Sequence, residues 1–117
     1  MSRVLVVDDD PGTVRGMRTL LEMDGFDTFA TTSSADALEA LGRERFDFVI
    51  TDLEMPRVHG VEIVRAAVQA DRAMRVFVVS AFTNSAVCDQ ALAAGATRAF
   101  AKPLDYDALV ALLYEPG

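Results

Sequence analysis

Asp8, Asp9, Asp10, Asp52, Ser80 and Lys102 are the side chains whose types suggest chemistry. Carboxylates drawn together repel one another, and repulsion raises their pKa values unless a cation offsets it. Hard oxygen donors with room for water suit Mg2+, which takes one or two carboxylates plus phosphate oxygens. A lysine opposite such a cluster pairs with an anionic group, and a small hydroxyl donates a hydrogen bond to the same group. Assembled, these parts describe a phosphoryl site: metal, ammonium and hydroxyl around the equatorial oxygens, and a carboxylate as nucleophile. Lys102 is singled out by composition too. Ten of the eleven basic residues are Arg and Lys102 is the only Lys. Its ammonium is a compact point charge, whereas a guanidinium is a wide planar fork.

Each residue also has a plainer reading. An Asp triplet alone is a solvated turn with a helix cap. Asp52 ahead of Pro56 is loop chemistry, Ser80 ends a strand, and Lys102-Pro103 stops one. Placement argues against four coincidences. Apolar runs at Arg3 to Val7, Phe46 to Thr51, Arg75 to Ser80 and Arg98 to Ala101, with a weaker one at Asp27 to Ala30, do not alternate cleanly. Strands buried on both faces of a parallel sheet read this way. Between them, helical patterns span Pro11 to Asp24, Ser34 to Gly42, Gly60 to Ala70, Ser85 to Ala94 and Asp105 to Tyr114. Their apolar faces are Val14, Met17, Leu20 and Leu21; Ala37, Leu38 and Leu41; Val61, Val64 and Val68; and Leu109, Leu112 and Leu113. Strand and helix alternate five times, which predicts an α/β fold with a parallel sheet covered on both faces. Ligands of such sheets bind outside the carboxyl ends of the strands, where strand order reverses. Asp8 to Asp10, Asp52, Ser80 and Lys102 all fall at carboxyl ends, and the weak edge strand ends in uncharged Ala30-Thr31-Thr32.

Composition bounds the partners. The chain has 117 residues, 51% of them hydrophobic, and a net charge of −7. That length suits one domain, expected to span 1–117 with no linker inside it. The negative charge disfavours direct binding of nucleic acid or an anionic membrane. The opening apolar run stops after four residues at Asp8, too short for a signal peptide or a membrane span. Cys88 has no partner for an internal disulfide. The expected compartment is the cytoplasm.

The order Val4-Leu5-Val6-Val7-Asp8-Asp9-Asp10-Pro11, Asp52-Leu53-Glu54-Met55-Pro56 with Gly60, Val79-Ser80-Ala81, Gly95-Ala96 and Lys102-Pro103 resembles a response-regulator receiver domain over essentially the whole chain. The resemblance implies a flavodoxin-like, doubly wound sheet of order 2-1-3-4-5, an order known for the chemotaxis receiver. It implies that Asp52 accepts a phosphoryl group from a phosphohistidine on a sensor histidine kinase or phosphotransfer protein. It further implies that Asp9 binds Mg2+ directly, that Asp8 acts mostly through metal-bound water, and that Asp52 and the Glu54 backbone carbonyl complete the protein ligands. Ser80 is then the hydroxyl that shifts toward the phosphoryl group, Lys102 the lysine that contacts it, and the peptide before Pro103 is cis. The protein is expected to promote its own phosphorylation and dephosphorylation instead of turning over a substrate. A downstream protein partner is expected on the face of the fourth helix, fifth strand and fifth helix, with the receiver standing alone.

Several positions depart from the family pattern. The family commonly has Tyr, Phe or His three residues before the lysine; here that residue is Ala99. Phe100 is offset by one residue, which points it to the opposite face of a strand. Arg98 stands where dimer-forming transcription-factor receivers often carry an acid. Glu54 and Phe82 occupy positions that tune phosphoryl lifetime in the family. Two further readings stay open: a pseudo-receiver acting as a constitutive interaction module, and a Mg2+ phosphatase working through an aspartyl phosphate. His59 reads as a surface loop histidine, Cys88 as a small buried hydrophobe, and Met17, Met23 and Met74 as packing residues.

Overall fold

The apolar runs become strands, and the register between them brings the polar residues to one edge. The computed structural model describes residues 2–55 and 60–115. Among these, the strands are β1 (Arg3–Val7), β2 (Asp27–Thr31), β3 (Phe48–Asp52), β4 (Arg75–Ser80) and β5 (Arg98–Ala101). All pairings are parallel and the order is β2-β1-β3-β4-β5. Strand order reverses between β1 and β3, so the residues after Val7 and at Asp52 flank that switch point. The third strand begins and ends later than its apolar run. Phe46 packs in the core ahead of it, the Asp47 carboxylate accepts the Arg3 N–H at 2.8 Å, and the ladder extends to Asp52, opposite Val79.

Alternation divides each strand between two cores. Leu5, Val7, Val49, Val76 and Val78 face one side. They pack there with α2 (Ser34–Arg43), α3 (Gly60–Ala70) and α4 (Ala86–Ala93). Val4, Val6, Phe48, Ile50, Phe77 and Val79 face the other, against α1 (Pro11–Met23) and α5 (Tyr106–Leu113). Burial of both faces is what favours the unbroken Val/Ile/Phe runs.

The helices start where side chains satisfy their first N–H groups. Asp10, Ser33, Ser85 and Asp105 each accept from the first turn of the helix that follows. Ser85 and Asp105 are therefore caps, one residue outside the helices expected to begin there. Two expected packing residues lie at the surface instead: Leu20 and Met23 are 41% and 78% exposed. The inward stripe of α1 is Val14, Met17 and Leu21, and at 3.6 residues per turn it leaves both to the side. Met17, Met74 and Cys88 are buried as expected. Gly60 opens α3 against the end of β3. A Cβ there would lie 2.8 Å from the Leu53 Cα and collide with the Asp52 carbonyl, so only Gly allows this approach.

Candidate functional site

β1 ends into an acidic turn whose three members separate by role. The Asp10 carboxylate caps α1, accepting from Gly12 N, Thr13 N and, at 2.6 Å, the Thr13 hydroxyl. It acts as the helix cap that the plainer reading describes. Asp8 is buried and accepts the Asp10 N–H at 2.9 Å, which turns the chain at the sheet edge. Asp9 stays exposed. Asp8, Asp9 and Asp52 each present one carboxylate oxygen, and these oxygens lie within 4.8 Å of one another.

Asp52 is 2% exposed. Its Oδ2 pairs with Lys102 Nζ at 3.0 Å, and its Oδ1 accepts the Glu54 N–H at 3.1 Å. Burial pushes the Asp52 carboxyl above the usual carboxylate range, with the Lys102 contact and the Glu54 N–H opposing. Burial also pushes Asp8 up, and the charges of Asp52 and Asp9 add to it. For Lys102, burial pulls the pKa down, but the contact with Asp52 and the charges of Asp8 and Glu54 raise it on balance. Among the described residues, a single cation, Lys102, contacts this group of three convergent carboxylates. Among the described residues the acids outnumber the cation, and the donors are hard oxygens at the spacing a small divalent cation bridges, so the residues fit Mg2+. A cleft of about 570 Å3 reaches the site, lined by Asp8, Asp9, Asp52, Lys102, Met17 and Val79 among others.

Ser80 closes β4 with its side chain fully buried. Its hydroxyl does not reach for Asp52. It donates to Glu54 Oε2 at 2.7 Å, while Glu54 Oε1 accepts the Ala81 N–H at 2.7 Å. The Ser80 oxygen in turn accepts the Phe82 N–H at 3.0 Å. Glu54 was expected to give its backbone carbonyl and to stand at a lifetime-tuning position, but its side-chain partners, the Ser80 hydroxyl and the Ala81 N–H, were not expected. A Glu two residues past the reactive acid was the available signal. The Lys102 N–H bonds the Ser80 carbonyl at 3.0 Å, and the peptide to Pro103 is cis. Ala99 packs with the α2–α4 core and Phe100 with the α1–α5 core, its ring 6.1 Å from Phe77. The one-residue offset does send the ring to the opposite face. Phe82 is 68% exposed. Pro56 and His59 lie outside the described residues.

Comparison with known proteins identifies the family and the fold. The family model described as response regulator receiver domain matches residues 4–114. The chain is 30% identical over 105 residues to sporulation initiation phosphotransferase F of Bacillus subtilis, covering 90% of this chain and 85% of that protein. It is 34% identical to the transcriptional regulatory protein KdpE of Mycobacterium tuberculosis over 97% of this chain, but spans only 50% of that longer protein. Among solved structures, the response regulator TrrA of Thermotoga maritima, in complex with Mg2+-BeF, superposes with a TM-score of 0.84 at 25% identity. That alignment covers 97% of this chain and 96% of the TrrA chain.

Proposed function

This chain belongs to the response regulator receiver domains, the phosphoacceptor switches of two-component signalling, and from that premise we propose that Asp52 is the residue that takes the phosphoryl group. The observation carrying the assignment is the Asp52 carboxylate held at 3.0 Å from the chain's only lysine, with Asp8 and Asp9 oxygens within 4.8 Å. On this reading residues 1–117 make up the receiver unit.

An Asp52 carboxylate oxygen attacks the phosphorus of a phosphohistidine on a sensor kinase or phosphotransfer protein. The new O–P bond forms as the P–N bond breaks, and its electron pair leaves with the imidazole nitrogen. Lys102 first holds the nucleophile, then moves its charge onto the phosphoryl oxygens. Ser80 turns its hydroxyl to one of those oxygens and so reports the arrival. Asp9, Asp52 and the Glu54 carbonyl would hold Mg2+ with Asp8 behind them, and the ion supplies positive charge to the transferring group. Water attack on the same phosphorus later returns the Asp52 carboxylate and inorganic phosphate, so the protein promotes both steps on itself. Downstream binding changes on the face of α4, β5 and α5 by a shift between two populations. Excess negative charge argues against direct nucleic-acid contact, and the cytoplasm is the compartment this role implies.

Incubation with Mg2+ and acetyl phosphate, followed by intact mass measurement, tests the assignment. A single phosphoryl adduct, removed by hydroxylamine and missing in Asp52→Asn, is the expected result. The same adduct on Asp52→Asn would overturn it.

A further inference from the structure

The Glu54 carboxylate makes strong contacts that phosphoryl transfer to Asp52 does not itself require. Glu54 is an acid two residues beyond Asp52, yet the oxygens that converge at the site are those of Asp8, Asp9 and Asp52. Both Glu54 carboxylate oxygens are engaged at 2.7 Å, one by the Ser80 hydroxyl and one by the Ala81 N–H. A hydroxyl has one proton to donate, and that proton is committed to Glu54. Strand alternation explains how the carboxylate reaches it. Asp52 has the parity of Phe48 and Ile50, on the α1–α5 side, whereas Ser80 has the parity of Val76 and Val78, on the α2–α4 side. Glu54 is carried across by the turn after β3, whose Glu54 N–H is fastened to Asp52 Oδ1.

We propose that Glu54 is an internal anion latch. In the resting protein its carboxylate occupies the Ser80 hydroxyl and the Ala81 N–H, the two donors at the end of β4, and a phosphoryl group on Asp52 must displace it to recruit them. The inference rests on Asp52 being the phosphoacceptor. A charge-assisted bond to a carboxylate is stronger than a neutral one, so the latch biases the switch toward its resting arrangement. Glu54 acts through Ser80 and Ala81 and is a positioning residue. Ser80 also holds the Phe82 N–H, so release of Glu54 frees the Ala81–Phe82 turn together with the serine.

Two measurements on the full chain test the latch. The first is amide exchange in metal-free protein. Ala81 should exchange about tenfold faster in Glu54→Ala than in wild type once its acceptor is gone, and Glu54→Gln should fall between them. Equal rates in wild type and Glu54→Ala would overturn the latch whatever Asp52 does. The second is the affinity for beryllofluoride, a phosphoryl mimic, at fixed Mg2+. Glu54→Ala should bind it about tenfold more tightly than wild type, one charge-assisted bond no longer having to be broken. Against a Ser80→Ala background the same substitution should gain only about threefold, because only the Ala81 donor remains contested. An undiminished gain would mean plain charge repulsion and overturn the competition alone. No binding by any variant would overturn the Asp52 reading and the competition with it.

Discussion

At the scale of single residues, the acidic edge is held together at a cost. Asp8 and Asp52 are buried beside each other, with Asp9 at the mouth and Lys102 as the cation in contact. A ligand of the native state adds RT ln(1 + [L]/Kd) to stability, about 1.4 kcal/mol at ten times Kd. Mg2+ should therefore raise the melting midpoint of the wild type. Asp8→Asn removes one of the repelling charges, so it should melt higher than wild type without metal and gain less from Mg2+. Thermal melts with and without millimolar Mg2+ check both statements. An unchanged wild-type midpoint at saturating metal would count against the site. Asp10→Asn should leave the Mg2+ response intact, because that carboxylate serves α1.

At the scale of elements, α5 is fastened to the turn between α1 and β2 by two phenols. Tyr106 donates to Asp24 Oδ2 at 2.7 Å and Tyr114 donates to the Asp24 carbonyl at 2.9 Å. Arg75, at the start of β4, donates to the Leu112 and Glu115 carbonyls at the far end of α5. Burial, together with the bond to Asp24, pushes the Tyr106 phenol well above its usual value. The folded protein then keeps that proton after the unfolded chain has lost it, so the stabilisation is present below about pH 10 and is lost as pH rises further. Tyr106→Phe should cost about 0.5–1 kcal/mol at neutral pH, the worth of one exposed hydrogen bond. It should also flatten the loss of stability above pH 10. Denaturant titrations of both proteins at pH 7 and pH 10.5 measure this, and parallel losses at the two pH values would refute it.

At the scale of the molecule, the signal must leave the site without a swinging aromatic ring. Ala99 packs in one core and Phe100 in the other, against Phe77. What adjoins Ser80 is the Ala81-Phe82-Thr83-Asn84 loop and then α4, whose eight residues bury only Cys88 and Ala91. An element with so little buried side chain repacks cheaply. Amide shift changes on adding beryllofluoride and Mg2+ should therefore run through residues 81–95 and survive in Ala99→Tyr. Changes confined to the metal loops would favour a constitutive interaction module.

Much of this was legible in the residues alone. Unbroken Val/Ile/Phe runs alternating with amphipathic stretches determined a doubly covered parallel sheet, because both faces of such strands must be apolar. The same periodicity put Asp8, Asp9, Asp52, Ser80 and Lys102 at carboxyl ends, and the isolated Lys102 marked the cation. Periodicity did not reveal that Leu20 and Met23 face water, since a short helix can rotate its stripe by a fraction of a turn without changing its pattern. Nor did it show which donor each acid takes. Asp10 ahead of Pro11 already reads as a helix cap in the sequence, whereas nothing there gives the Glu54 carboxylate its partners. One caps a helix and the other holds Ser80 and Ala81. Hydrogen bonds of 2.7 Å between residues 26 and 27 positions apart depend on strand register and on the turn after β3. Only the tertiary structure decides those.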